Sequence, residues 1–413
     1  MSSSSRWSTA ESYWSPKRSK PNLLRNTPAF GIFFSFVSSF VLHAQVNTPF
    51  LVGQSSLLPP AIDSSGTKVV FGASTRPSGD SSDAVDLYLS SGLSLQQWPR
   101  KSMGITAVAL TPDAAKAVYT SVNRSGNPSA EEVHITSGAG DDRTIAVDTQ
   151  GCIQPLVACV NCFFSCLRTP HISPDGAKVL YAASRDQPFY VVNTDGTGLT
   201  RLPVFSGSLA PSPQRVISRD GTVVFAGSAI AAQGNTPAPQ NVYRMKLDGT
   251  DIRALTSLTS ASRSFLQNAT VSADGNTVVF ESDTQIWIVR GDGTALRQVT
   301  TGSDPASSPS LSADGSVLTF IQSGQVYMLR TDSTTLPVAL TRFQTSTASD
   351  SVISDDGSRV AFVVGPRNGG RGAIYSVKTD GSELRALFAP PTINFNGITS
   401  SIPGTPPSAG SLV

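Results

Sequence analysis

A unit of four short strands, repeated along most of the chain, limits what these residues can fold into. The segment Thr270–Thr300 shows the unit most clearly, with four short apolar or β-branched runs. Polar turns separate the runs, and the two sharpest contain Asp274-Gly275 and Asp292-Gly293. Glycine permits the positive φ that a tight turn requires, and an aspartate side chain can hydrogen-bond nearby backbone. Each unit is therefore predicted to form a small four-stranded sheet.

The first turn of the unit recurs at intervals that indicate the architecture. Its aspartate, replaced by serine in the first unit, falls at positions 65, 113, 175, 220, 274, 314 and 356, so the intervals are 48, 62, 45, 54, 40 and 42 residues. Repeats of about 40–45 residues with four strands each are typical of propeller blades. The fold is therefore predicted to be all-β, a β-propeller of four-stranded antiparallel blades, with seven blades and six as the alternative.

The residues that recur in every unit are predicted to be structural. Aspartates at recurrent turns do not form the paired-carboxylate site of a glycosidase. The predicted structural turn residues are Asp175, Gly176, Asp220, Gly221, Asp274, Gly275, Asp314, Gly315, Asp356 and Gly357. A single sheet cannot bury both faces alone, so the aromatic residue of each second strand is predicted to pack between blades. These aromatic residues are Phe71, Tyr119, Tyr181, Phe225, Phe280, Phe320 and Phe362.

The same pattern gives the domain boundaries. The propeller is predicted over residues 45–390, and residues 46–60 are predicted to supply a strand that helps to close the ring. Two insertions lengthen the repeats, one at 151–169 and one at Gln233–Gln240. Residues 391–413 are rich in Pro, Ser and Gly and are predicted to be a flexible tail or linker. The repeats are predicted near 62–105, 108–150, 171–205, 216–258, 269–301, 310–342 and 352–388.

Residues 1–44 are predicted to be a signal peptide. A basic segment precedes the 13-residue apolar run Phe30–Leu42, and Ala44 offers a small residue at the cleavage position. The run is shorter than the roughly 20 residues that a membrane-spanning helix needs, and an uncleaved anchor is the alternative. The protein is therefore predicted to be periplasmic or extracellular, with no integral membrane span after cleavage.

The charge distribution argues against nucleic acid as a partner. The chain carries a formal net charge of +2, but residues 1–44 contain five basic side chains and one acidic side chain, so the remainder carries −2. A slightly acidic body provides no electrostatic field for collecting nucleic acid. No nucleic-acid partner is therefore predicted.

All four cysteines lie in the insertion 151–169, at Cys152, Cys159, Cys162 and Cys166. In an exported protein, four cysteines in one short segment are predicted to form two disulfides, with three possible pairings. One alternative is a tetrahedral zinc site made by the four thiolates, or by three of them and His171. A redox-active Cys159-x-x-Cys162 pair is the other alternative. The disulfide interpretation involves no metal and no cofactor.

Residues 173–176 are Ser-Pro-Asp-Gly, a short strand with an aromatic end follows them, and residues 292–297 are Asp-Gly-Thr-Ala-Leu-Arg. This pattern resembles the WD40-like propeller repeat of the TolB type. TolB has an α/β domain ahead of its propeller, and the resemblance here covers the propeller only, so TolB's partnership with the Pal lipoprotein is not carried over. The family is functionally mixed, and the resemblance implies the fold more than an activity. It is good in 171–202, 217–256, 270–300 and 352–387, partial in 311–341 and weak in 62–147.

Signals of catalysis are few. After the leader the chain has two histidines, His134 and His171, and each lies in a predicted strand. No G-x-S-x-G elbow and no phosphate-binding loop is present. The predicted function is a non-catalytic, monomeric scaffold that binds a protein or glycan through its loops, above all the two insertions. A carbohydrate- or peptide-directed hydrolase or lyase, or a sensor, that uses the central channel is the alternative.

Overall fold

The structure is a computed structural model, and within the described residues every regular element is a β-strand. The 28 strands form seven four-stranded sheets. No described residue belongs to a helix long and apolar enough to cross a membrane. The described residues are 57–74, 85–92, 94–98, 105–123, 130–138, 140–148, 169–182, 189–202, 206–208, 215–228, 240–258, 266–333, 335–367 and 372–388.

Each sheet is one blade, built from four strands that are consecutive in the chain. Blade 1 contains β1 (Ala61–Ile62), β2 (Lys68–Ser74), β3 (Val85–Ser91) and β4 (Ser94–Trp98). Blade 2 contains β5 (Ile105–Leu110), β6 (Ala117–Asn123), β7 (Ala130–Thr136) and β8 (Arg143–Asp148). Blade 3 contains β9 (His171–Ile172), β10 (Lys178–Ala182), β11 (Phe189–Asn193) and β12 (Thr200–Arg201). Blade 4 contains β13 (Ser206–Ser208), β14 (Thr222–Ser228), β15 (Gln240–Lys246) and β16 (Arg253–Ala254).

The last three blades follow the same order. Blade 5 contains β17 (Leu266–Val271), β18 (Thr277–Ser282), β19 (Gln285–Arg290) and β20 (Arg297–Gln298). Blade 6 contains β21 (Ala306–Leu311), β22 (Val317–Gln322), β23 (Gln325–Arg330) and β24 (Val338–Ala339). Blade 7 contains β25 (Ser346–Ile353), β26 (Arg359–Pro366), β27 (Ala373–Lys378) and β28 (Arg385–Phe388). Neighbouring strands are antiparallel in every blade, which confirms the predicted β-propeller with seven blades rather than six.

The strand order gives the propeller two different faces. In every blade the turn between the first two strands and the turn between the last two lie at one end, which we call the turn face. The connection between the second and third strands and the connection to the next blade lie at the opposite end, which we call the loop face. This assignment follows from antiparallel pairing alone, because each strand reverses the direction of the previous one.

Seven apolar clusters form the core, and each fills the space between two neighbouring blades. The seven predicted second-strand aromatics are all buried. Each of them pairs across the sheet with a ring on the third strand, and most of these pairs are stacked. The pairs are Phe71–Tyr88, Tyr119–His134, Tyr181–Tyr190, Phe225–Tyr243, Phe280–Trp287, Phe320–Tyr327 and Phe362–Tyr375.

The ring closes by packing between blade 7 and blade 1. Phe388 lies 5.2 Å from Phe71 and 5.9 Å from Tyr88, measured between ring centroids. Blades 1 and 7 each consist of consecutive strands, so no strand is exchanged between them among the described residues. Of the segment 46–60, predicted to supply a closing strand, residues 46–56 lie outside the described residues; Leu57 bridges Ala73 in blade 1 and packs against the cluster shared with blade 7.

Blade 4 departs from the pattern in its innermost strand. The strand β13 pairs with β14, and the ladder resumes only at Ile217, which bridges Val223. Between them, residues 209–214 include Pro211 and Pro213. Residues 209–214 lie outside the described residues.

Candidate functional site

In blades 3 to 7 the first turn is held by a serine and an aspartate. In blade 3 the Ser173 hydroxyl donates to Asp175 Oδ1 at 2.5 Å and accepts from the Lys178 N–H at 2.9 Å. Asp175 Oδ1 also accepts from the Ala177 N–H at 3.0 Å. These donors, the Ser173 hydroxyl first, hold the pKa of Asp175 below its usual value. The same serine–aspartate bond occurs at Ser218–Asp220, Ser272–Asp274, Ser312–Asp314 and Ser354–Asp356.

The first turn of a blade requires a residue with positive φ and a carboxylate that accepts from nearby backbone N–H groups. Gly176, Gly221, Gly275, Gly315 and Gly357 all have φ between 68° and 76°. In blade 2 the same left-handed conformation falls on Ala114, with φ of 54°. In blade 1 the carboxylate comes from Asp63, two residues before the expected position, and its Oδ1 accepts from the N–H groups of Thr67 and Lys68.

Backbone hydrogen bonds join most of the neighbouring turns around the axis. We call this set of turns the turn girdle. Its members are the residues between the serine and aspartate positions of each turn: Ser64, Pro112, Pro174, Arg219, Ala273, Ala313 and Asp355. The donated bonds are Arg219 N to Ala273 O, Ala273 N to Ala313 O, Ala313 N to Asp355 O, Asp356 N to Ser64 O and Ser64 N to Pro112 O, all between 2.7 and 3.0 Å.

Two prolines interrupt the turn girdle beside blade 3. Pro112 of blade 2 and Pro174 of blade 3 have no N–H, so neither can donate the bond that would continue the ring. The girdle is therefore open on both sides of Pro174. The other five steps are closed by the bonds just described.

An ion pair crosses the axis at the turn face. Arg215 of blade 4 donates through Nη2 to Asp355 Oδ1 of blade 7, and the Ser64 hydroxyl donates to Asp355 Oδ2 at 3.3 Å. Blades 4 and 7 are three steps apart, the largest separation possible in a ring of seven. The Arg215 side chain is 14% exposed, and burial together with the nearby Arg219 charge lowers its pKa to about 10.

A depression of about 400 Å³ lies beside this pair on the turn face. Its lining consists of Arg219, Asp274, Ala313, Asp314, Asp355 and Asp356. Three of these residues belong to the turn girdle and three are turn aspartates, so the depression sits at the axial mouth. Blade 4 supplies the positive charge there, and blades 5, 6 and 7 supply the negative charge.

Sequence reasoning missed Arg215, Arg219 and Asp355, although a signal for them exists in the repeats. Arg219 and Asp355 are the charged members of the turn girdle. Arg215 lies five residues before its turn marker, where the other blades have small or apolar residues. Those residues are Pro60, Val108, Pro170, Ala269, Pro309 and Ser351.

The long connections leave the propeller at the loop face. Blades 5 and 6 have tight turns there, at Asp283-Thr284 and Ser323-Gly324. The predicted insertion 151–169 joins β8 to β9, and the predicted Gln233–Gln240 segment joins β14 to β15, so both connect strand ends of this face. Cys152, Cys159, Cys162 and Cys166 lie outside the described residues, as do the leader and the tail.

Glu281 is a second departure from the repeat, near the loop-face end of blade 5. Its carboxylate is buried and accepts from Gln267 Nε2 at 2.7 Å and from Asn268 Nδ2 at 2.8 Å. Asn268 has φ of 55° in a bulge of the innermost strand, and its Oδ1 is buried without a hydrogen-bond donor. The equivalent positions in the other blades are Gly72, Thr120, Ala182, Ala226, Ile321 and Val363.

The two histidines are sheet residues. His134 stacks on Tyr119 with ring centroids 4.7 Å apart, in the place where six blades have tyrosine or tryptophan. Its Nε2 lies 2.9 Å from Glu132 Oε2, and its Nδ1 faces Asp142 Oδ1 at 3.4 Å. His171 is buried in β9 opposite Leu180. Within the described ranges no group of three or more His, Cys, Asp and Glu side chains is arranged to hold a metal ion.

Comparison with known families gives one match. The family described as lipoprotein LpqB β-propeller domain matches residues 241–401, which begin in the third strand of blade 4. Comparison with curated proteins gives no match.

Several solved structures share the fold. The β-propeller domain of the trilobed protease from Pyrococcus furiosus has a TM-score of 0.57 and 10% identity, covering 82% of this chain and 99% of that domain. A puromycin-hydrolysing peptidase from Mycobacterium tuberculosis has a TM-score of 0.56 and 12% identity, covering 81% of this chain and 52% of that one. An oligogalacturonate lyase from Vibrio parahaemolyticus has a TM-score of 0.53 and 14% identity, covering 80% and 92%.

Identities of 10–14% show the fold alone. The seven blades and the LpqB-type match agree with the repeat pattern on which the resemblance was based. The resemblance predicted from the repeats is therefore confirmed, and the chain is a TolB-like seven-bladed β-propeller.

Proposed function

We propose that this protein is an exported, non-catalytic scaffold that binds a protein or glycan partner through its loop face. The observation that carries the proposal is that the two faces differ in the length of their connections. At the turn face the first turns are short and bind their own backbone, whereas the long connections all leave from the loop face. Binding residues lie disproportionately on loops held by a rigid scaffold.

Within the loop face, the two insertions are the proposed recognition elements. The cysteine-containing segment follows blade 2, and the Gln233–Gln240 segment lies within blade 4. Two disulfides in the first segment would hold a short loop that has no core of its own. The segments leave from blades that are separated by blade 3 alone, so a partner that contacts both would cover this side of the loop face.

The proposed location is the cell envelope or the outside of the cell. Two observations support it: the leader predicted in residues 1–44, and the match to a propeller domain described as belonging to a lipoprotein. Cell fractionation followed by N-terminal sequencing of the secreted form tests this part. A chain that begins after Ala44 is the expected product, and a full-length chain in the cytosol would contradict the proposal.

Site-specific photo-crosslinking in the native host tests the binding face. A photoreactive amino acid at Val147 or Gln240, exposed residues near the loop-face ends of β8 and β15 beside the two insertions, is expected to capture the partner. The same amino acid at Arg290 or Asp332, both exposed at the turn face, serves as the matched control and is expected to give no adduct. Replacing residues 152–166 and 233–239 by Gly-Ser linkers should remove the loop-face adducts. Adducts that persist after both replacements, or that form only at the turn face, would overturn the proposal.

Glu281 is the observation that favours the alternative of an enzyme. A buried carboxylate near the loop-face end of blade 5, held by two amides, is the type of group that general acid–base catalysis uses. Turnover of peptide or pectic oligosaccharide substrates, lost in Glu281→Gln and kept in Asp304→Asn, would support this alternative. Absence of turnover by the wild-type protein leaves the scaffold as the function.

A further inference from the structure

The axial mouth of the turn face is divided into a positive and a negative half. Arg215 and Arg219 come from blade 4, and four carboxylates come from the three blades that follow it. The depression between them measures about 400 Å³, within the range of about 300–1,000 Å³ that small-molecule sites occupy. This site lies on the face opposite the proposed recognition loops and is independent of them.

The positive half has hydrogen-bonding capacity that the protein does not use. Arg215 donates through Nη2 to Asp355, but its Nη1 is buried and has no acceptor. A buried donor without an acceptor is destabilising. Arg219 adds a second, like charge on the same side, and burial and this neighbour both lower the pKa of Arg215. Arg219 belongs to the lining of the depression, so it is the arginine that an anionic group bound there would contact.

In the negative half, Asp355 is paired with Arg215, whereas Asp314 and Asp356 stay ionised and have no cationic partner among the described residues. Hydrogen bonds from Ser312 and Ser316 hold the pKa of Asp314 below its usual value. Burial raises the pKa of Asp356, but the hydrogen bonds from Ser354 and Ser358 lower it by more, so the pKa lies below its usual value. No described lysine or arginine pairs with Asp314 or Asp356, whereas the equivalent Asp220 of blade 4 binds Lys246 Nζ at 2.6 Å.

We propose that this mouth binds a small zwitterionic ligand, an α-amino acid or a short peptide with free termini. Arg219 takes its carboxylate, and Asp314 and Asp356 take its ammonium group. A ligand with only a negative charge would face four carboxylates, and one with only a positive charge would leave Arg219 without an anionic partner. A ligand with both charges, separated by the width of the depression, satisfies each half.

Isothermal titration calorimetry of the full exported protein with three probes tests this proposal. The probes are trialanine, N-acetyl-trialanine, which lacks the ammonium group, and trialanine amide, which lacks the carboxylate. Trialanine is expected to bind at least about tenfold more tightly than either blocked form. No binding of trialanine at about 10 mM, equal binding of all three probes, or binding of the amide alone would each overturn the proposal.

Two variants test which half of the axial mouth binds which charged group of the ligand. Arg219→Ala is expected to remove the advantage of trialanine over its amide, because the carboxylate loses its partner. Only the backbone of Arg219 takes part in the turn girdle, so the fold should be kept. Asp314→Asn should instead remove the advantage over the N-acetyl form. Arg201→Ala, at an exposed arginine on the outer strand of blade 3, is the matched control and should leave all three affinities unchanged. If Arg201→Ala weakens binding as much as Arg219→Ala, the mouth is not the site.

Discussion

Arg215 and Asp355 are 140 residues apart in the chain, yet their side chains form an ion pair across the axis of the propeller. Each belongs to the innermost part of its blade, and the blades stand on opposite sides of the ring. The pair therefore ties two distant parts of the ring directly to each other. It also places a buried positive charge where the neighbouring blades supply only neutral or acidic groups.

Removing one partner of this pair should destabilise the propeller. Asp355→Ala leaves the Arg215 guanidinium buried without its counter-ion, and we expect the free energy of unfolding to fall by about 1–3 kcal/mol. Urea denaturation followed by tryptophan fluorescence measures the loss. Arg253→Ala is the control, because Arg253 pairs with Asp251 at the rim and is 68% exposed, and its effect should stay below about 0.5 kcal/mol. Equal effects of the two variants would contradict this account.

Acid should destabilise the fold through its turn aspartates. Hydrogen bonds from Thr111, Ser173 and Ser312 hold the pKa values of Asp113, Asp175 and Asp314 below the usual 3.8. The unfolded chain therefore takes up protons first as the pH falls past 3.8, and the stabilisation present above that pH is lost as the folded pKa values are passed. Urea midpoints between pH 7 and pH 2 should show this decrease.

A variant with asparagine at these three positions isolates the cause of the acid effect. Asparagine keeps an acceptor oxygen but has no proton to gain, so the decrease in stability below pH 4 should become shallower. An unchanged pH profile would assign the acid sensitivity to other carboxylates.

Gly66 should be one of the least replaceable residues at the junction of blades 1 and 7. Its φ is 70°, and an added Cβ would lie 2.7 Å from the Arg359 Cβ and 3.2 Å from the Ser354 Cβ. We expect Gly66→Ala to cost about 3 kcal/mol, from backbone strain together with overpacking. Gly92 has φ of 60° and open space around it, so Gly92→Ala should show only the strain, about 1 kcal/mol. Thermal unfolding of both variants compares the two costs.

His134 should contribute through its polar contacts as well as its ring. His134→Phe keeps a ring against Tyr119 but removes the nitrogen atoms that face Glu132 and Asp142. We expect a loss of about 1–3 kcal/mol in the free energy of unfolding, because two carboxylates then face an apolar ring. Tyr190→Phe at the equivalent position of blade 3 is the control and should change stability by less than about 0.5 kcal/mol. A neutral His134→Phe would mean that stacking alone matters there.

The sequence favoured seven blades, with six as the alternative, because the turn chemistry is local. Asp175-Gly176 and its counterparts each satisfy their own turn within a few residues, so the pattern can be counted without knowing the fold. The burial of the second-strand aromatics could also be predicted, since packing between blades requires a large ring at the same position of each blade. The Asp63 carboxylate shows the limit, because a shift by two residues preserves the bonds and hides the motif.

The residues of the axial mouth could not be predicted in the same way. Arg215 and Asp355 meet only because the ring brings blades 4 and 7 to face each other, and no local spacing encodes a contact of that kind. Glu281 differs from its six equivalents, but its meaning depends on Gln267 and Asn268, which the sheet places beside it. Departures from a repeat indicate where to look, whereas the structure supplies the partners.

The two prolines of the turn girdle make one blade different in its dynamics. Five of the seven steps around the girdle are joined by backbone hydrogen bonds, and the two that are not lie on either side of Pro174. A fluctuation that separates blade 3 from its neighbours breaks none of these bonds, whereas separating any other pair of adjacent blades breaks one. Local opening should therefore begin at blade 3, and the amides of β9 and β10 should exchange with deuterium before those of β17 and β18. Apolar packing continues through all seven blade junctions, whereas the backbone hydrogen bonds of the turn girdle are interrupted on both sides of blade 3.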